Sequence, residues 1–102
     1  MKQFDICKNP SRNPGPTPYV VILQSDLLDE LRTCVVAPLR HVEGSGLRDT
    51  RFTPFILVQE QTFVLLVADL ASIPVRLLSY VDSARSQREK IIGALDVLFT
   101  GV

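Results

Sequence analysis

Charge of either sign is in short supply for any partner that needs it: eleven Lys and Arg residues balance eleven Asp and Glu residues, for a formal net charge of zero. No run of Lys or Arg interrupts that balance, so nothing favours the phosphate backbone of a nucleic acid or an anionic membrane surface. Cysteine is scarce as well. Cys7 and Cys34 are the only two, and neither belongs to a C-x-x-C pair or lies near a histidine at metal-ligand spacing, which leaves no zinc motif. Two thiols flanked by apolar residues suit a reducing cytoplasm. Long apolar runs are missing too. No stretch approaches the roughly 18 consecutive apolar residues of a membrane span, and Lys2 and Asp5 break up the N-terminal MKQFDICKN, which excludes the apolar segment of a secretion signal. The expectation is a cytoplasmic protein with no membrane span, no metal and no cofactor.

What remains is apolar for its size. The chain has 102 residues, 46% of them hydrophobic and 22% charged, enough for one core and one domain over residues 1–102. A domain this small buries only about 60–65% of its unfolded surface. A mean hydropathy of +0.21 therefore predicts apolar area left for association, read here as a homodimer.

Along the chain the hydrophobic period is two for most of its length. Phe4 and Ile6 alternate with Asp5 and Cys7 as a first strand. NPSRNPGPTP at residues 9–18 holds four prolines and reads as an exposed loop, a stiff connector or a grip for a partner. Tyr19 to Leu23 is a β-branched and aromatic second strand. Ser25-Asp26 starts a helical turn, and strand returns at Thr33 to Ala37, with Pro38 expected to end or edge it. Gly44-Ser-Gly46 marks a second loop before a strand from Phe52 to Val58, with an edge or bulge at Pro54. Phe63 to Val67 is apolar at both parities, which predicts a central strand buried on two sides. Ala71 to Pro74 reads as a turn, Val75 to Leu78 as a short strand, and Ser79 to Ser83 as the exit from the sheet.

The period then changes to 3.6. Ile91, Ile92, Leu95, Leu98 and Phe99 form one stripe of a helix, with Arg85, Arg88, Glu89, Lys90 and Asp96 on the other faces. Ser86 and Glu89 have capping-box spacing, Asp82 or Ser83 offers an earlier start, and Gly101 suits the position that closes the helix. Strands first and one helix last give an α+β fold: a bent antiparallel sheet packed on a terminal helix. Thr100-Gly101-Val102 after that helix reads either as a frayed end or as a small knob presented to a partner.

The block QSDLLDELRTCVVAPL at 24–39, followed by ADLASIPVRLL at 68–78 and a helix closing on LFTGV, resembles the CcdB family over nearly the whole chain. Members of that family are the toxins of plasmid and chromosomal toxin–antitoxin pairs. The resemblance implies an SH3-like, barrel-type sheet of the kind shared with MazF, a homodimer, and no catalytic residue or cofactor. It implies a protein that binds the A subunit of DNA gyrase, traps the cleaved gyrase–DNA complex, serves plasmid maintenance, and is neutralised by a disordered segment of a CcdA-like antitoxin. The gyrase-binding residues it implies are Leu27 and Leu28 of the QSDLLD block, Asp96 within the helix, and Phe99, Thr100, Gly101 and Val102 at its end. Thr100 stands where some members carry Trp.

Two rivals belong to other classes. A MazF/Kid-like endoribonuclease toxin needs a base, an acid and a cation at one centre, and His41, Asp69 and Arg76 are the residues the sequence offers. Against it stand the absence of that group's tryptophan-rich first strand and the neutral charge. The other rival is an inert dimer module that only binds an antitoxin.

Overall fold

The computed structural model describes Met1–Gly101; Val102 lies outside the described residues. Among them are seven strands and one α-helix: β1 (Asp5–Lys8), β2 (Tyr19–Ile22), β3 (Thr33–His41), β4 (Phe55–Val58), β5 (Gln61–Leu65), β6 (Ala71–Pro74), β7 (Tyr80–Ser83) and α1 (Arg88–Thr100). Every pairing is antiparallel, in the order β4-β5-β3-β2-β1-β7, with β6 also on β3. The sheet curls into a half-barrel and α1 packs against it, the α+β architecture the sequence predicts.

The expected central strand is displaced. Phe63, Val64 and Leu65 are fully buried, as their double parity requires, but β5 lies second from the β4 edge. The centre is β3, which pairs β2 on one side and both β6 and β5 on the other. Pro38 neither ends β3 nor edges it. Residues 33–36 of β3 pair with β6 and residues 39–41 with β5, so Pro38 falls at the changeover between those two neighbours, where its missing N–H leaves no gap in either ladder. Its carbonyl still accepts from Leu66 N–H at 3.1 Å.

Three further expectations are corrected. Ala71 to Pro74, read as a turn, is strand β6, while Val75 to Leu78, read as a short strand, holds a 3-10 turn over Val75–Leu77. Ser79 to Ser83 does not leave the sheet, because Tyr80–Ser83 is edge strand β7 on β1. In all three places short mixed runs carry no clear period, and pairing partners distant in sequence decide.

Two apolar layers account for the burial. On the inner face Ile6, Val21, Leu39, Ile56, Phe63 and Leu65 pack with Ile91 and Ala94 of α1. On the outer face Cys7, Val20, Ile22, Cys34, Val36 and Leu78 form a second cluster beneath Ile73 and Val75. The prolines of residues 9–18 sit in the β1–β2 connection, which is pinned by Asn9 N–H to Pro18 O at 2.9 Å and His41 N–H to Pro16 O at 2.8 Å.

The helix begins at Arg88, after a 3-10 turn over Arg85–Gln87. Ser86 and Glu89 form no capping box; Gln87 is the N-cap and its side chain makes no cap bond. Ser83 Oγ instead accepts from Arg85 N–H at 3.2 Å. At the other end Gly101 takes φ 73° and its N–H reaches Asp96 O and Val97 O, the left-handed closure expected of it.

Candidate functional site

The apolar stripe of α1 divides in two. Ile91 and Ala94 are fully buried and Leu95 and Leu98 half-buried against the inner core, whereas Ile92 and Phe99 face outward. Phe99 is 69% exposed, one turn beyond Leu95, and both border a shallow groove of ≈320 Å³ whose other walls are Leu23, Gln24, Val35 and Leu70. An exposed aromatic ring beside an apolar groove, carried by a helix whose other face is fixed in the core, is the kind of anchor that protein interfaces use.

Asp96, Thr100 and Gly101 share that helix end and are all exposed. The Asp96 carbonyl accepts from Thr100 Oγ1 at 2.6 Å and from Gly101 N–H at 3.1 Å. Thr100 thus commits its hydroxyl proton to the helix and offers no free donor in place of an indole N–H. Val102, also predicted for the site, lies outside the described residues.

Leu27 and Leu28 sit on a 3-10 turn, Asp26–Leu28, and not on the extended chain that would have placed one of them inward. Both are therefore exposed, Leu27 at 92% and Leu28 at 49%. The turn is built from its own polar residues. Ser25 Oγ accepts from Leu27 N–H at 3.2 Å. Asp26 accepts from Gln3 N–H at 2.7 Å and pairs with Arg85 at 3.8 Å across an exposed surface, where such a pair contributes little energy but fixes a direction.

Gln24 ties this turn to the start of β3 and lies between it and the groove at the helix end. Its amide donates to Leu28 O at 3.2 Å and Thr33 O at 3.3 Å, and its carbonyl oxygen accepts from Val35 N–H at 3.2 Å. The same residue lines both the Phe99 groove and the concavity bordered by Leu28 and Leu31. The structure thus brings Leu28 and Phe99 to either side of one clamped side chain. Gln24, Leu31 and the groove walls Val35 and Leu70 were not singled out by the sequence reading. The signal available for Gln24 was its place at the head of QSDLLD, a polar residue directly after a strand whose side chain has backbone to satisfy.

No reaction centre assembles from the nuclease set. Arg76 lies beside the start of β3, where Val75 N–H bonds Arg32 O, and His41 is the last residue of the same strand. They lie at opposite ends of β3, whose eight steps span up to about 26 Å when extended. His41 rests on the Phe63 ring, centroids 4.9 Å apart, a covering role. Asp69 is exposed on the 3-10 turn Val67–Asp69. Among the described residues no group of His, Cys, Asp and Glu could hold a metal ion, and no helix is long and apolar enough to cross a membrane.

The two thiols are unreactive by environment. Burial, with Asp5 and Cys34 adding to it, pushes the Cys7 thiol up to about 11, and burial raises Cys34 as well. Both stay protonated at neutral pH.

Comparison with curated proteins found no match. Comparison with protein families found one described as CcdB protein, matched over residues 3–101. With a match that runs from before β1 to the glycine closing α1, on a curled antiparallel sheet with a terminal helix, this chain belongs to the CcdB family, the toxins of toxin–antitoxin pairs.

Proposed function

We propose that this toxin acts by binding, not by catalysis, and that its target is the A subunit of DNA gyrase, which it holds in the cleaved, DNA-bound state. A ligand that prefers that state over the resealed one shifts the enzyme toward it and leaves breaks behind. The observation that carries the reading is the exposed Phe99 beside its apolar groove, with Leu28 on the far side of Gln24. These are positions that the family resemblance assigns to gyrase, presented on rigid elements. Asp96, Leu27, Thr100, Gly101 and Val102 complete the proposed surface. A homodimer would double it, and a CcdA-like antitoxin would neutralise it by covering it or by displacing gyrase from it.

The test is cleavage of supercoiled plasmid by purified gyrase with ATP. The full chain should convert plasmid to linear DNA, and a chain ending at Thr100 should not. Equal linearisation by both would remove the tip from the site, and no linearisation by either would remove gyrase as the target.

A further inference from the structure

β4 forms the outer edge of the sheet, and its sequence, Phe55-Ile-Leu-Val58, is the sort that edge strands ordinarily avoid: apolar, uncharged and free of proline. The hairpin register, Phe55 opposite Val64 and Leu57 opposite Thr62, combines with the hydrogen bonds to show which main-chain groups turn away from β5. They are the N–H and C=O of Phe55 and of Leu57. All four have partners, and each partner is a side chain. Phe55 N–H donates to Asp49 Oδ1 at 3.0 Å. Phe55 O accepts from Lys90 Nζ at 3.2 Å. Leu57 N–H donates to Gln87 Oε1 at 2.8 Å, and Leu57 O accepts from Gln87 Nε2 at 2.9 Å.

The Gln87 carboxamide thus makes with Leu57 the same two-way exchange that a residue of a neighbouring antiparallel strand would make. Gln87 and Lys90 come from the start of α1 and Asp49 from the loop before β4, so the three substitute for a strand without being one. The side chains cover only the main chain. Leu57 keeps 54% of its surface exposed, and a cleft of ≈610 Å³ runs beside the edge toward Asp82 and Ser83 of β7.

We propose that Asp49, Gln87 and Lys90 form an edge guard that closes β4 against strand addition by a second copy of this chain. The occupant follows from the edge itself. A short apolar strand pairs antiparallel with its own copy about a two-fold axis, giving an isologous contact centred on Leu57, whose outward main chain meets that of its symmetry mate. Gln87 is the bolt because it alone fills both a donor and an acceptor position.

Two measurements test this. In sedimentation velocity across a concentration series, Gln87→Ala should form a species of twice the wild-type mass in proportion to concentration, and Gln87→Ala with Leu57→Lys should return to the wild-type species, because two lysines then face each other across the new pair. In amide exchange, Leu57 should be protected in the wild type and should exchange about tenfold faster in a dilute sample of Gln87→Ala, while the Phe55 amide, held by Asp49, keeps its rate. The proposal is overturned if Gln87→Ala sediments as the wild type, if the heavier species survives Leu57→Lys, or if the Leu57 amide exchanges equally fast in both. The wild-type mass, monomer or dimer, is the internal reference, so the outcome is independent of the gyrase reading.

Discussion

Phe99 and Cys7 mark the two extremes a single apolar residue can occupy in this protein. Phe99 is largely in water and makes few contacts that folding depends on. Phe99→Ala should leave the unfolding free energy within about 1 kcal/mol of the wild type by urea titration, while weakening gyrase binding by about 2 kcal/mol, roughly 30-fold, as removal of an interface anchor does. Equal gyrase affinity for the two proteins would take Phe99 out of the surface. Cys7 is fully buried, and its thiol is raised to about 11 from an ordinary value of 9.0. A folded-state value above the unfolded one means that the folded protein holds the proton more tightly. The contribution of Cys7 to stability is therefore complete below pH 9 and lost as pH rises toward about 11. Urea midpoints measured across that window should fall for the wild type more steeply than for Cys7→Ala, which has no thiol to ionise.

At the level of elements, the β4–β5 hairpin carries a conflict between local preference and tertiary demand. Its turn residues Gln59 and Glu60 both adopt positive φ, 48° and 70°, the geometry that two-residue hairpins favour and that Asn-Gly usually supplies. The left-handed region costs a residue with a Cβ about 1–2 kcal/mol. Glu60→Gly should accordingly raise the thermal midpoint, with a gain of about 0.5–1 kcal/mol once glycine's extra chain entropy is subtracted. A lower midpoint would mean that Glu60 makes an offsetting contribution. The turn at Asp26–Leu28 resolves the same kind of conflict differently: Ser25 and Gln24 satisfy its main chain with side chains, which leaves Leu27 and Leu28 outside.

For the whole molecule, the inner layer between the sheet and α1 holds the fold, and it is there that substitution should cost most. Ile91 is fully buried among residues from most strands, so Ile91→Ala should destabilise by about 2–5 kcal/mol in urea unfolding, with the spread set by how far the cavity collapses. A loss under 1 kcal/mol would mean that α1 is not fixed to the sheet as described. The same rigidity lets a helix end and a 3-10 turn hold Phe99 and Leu28 at a set spacing across Gln24, the arrangement the proposed binding mode relies on.

Some of this was legible in the chain alone. The apolar double parity of Phe63 to Val67, the 3.6 period from Ile91 and the glycine after it determined the buried strand, the terminal helix and its closure, because each is a local pattern with a local cause. The QSDLLD block and the LFTGV ending pointed to the family and thereby to the candidate surface. Tertiary structure alone decided which strand is central, since the two-sided burial of β5 does not say how many strands lie beyond it. It decided that Pro38 stays within β3, because the place where one neighbour gives way to another is set by chain returning from β5 and β6. It also decided which members of the α1 stripe are core. Ile92 and Phe99 share the period of Ile91 and Leu95, but the core covers only part of the stripe, and of the two members left exposed it is Phe99 that belongs to the surface proposed for gyrase.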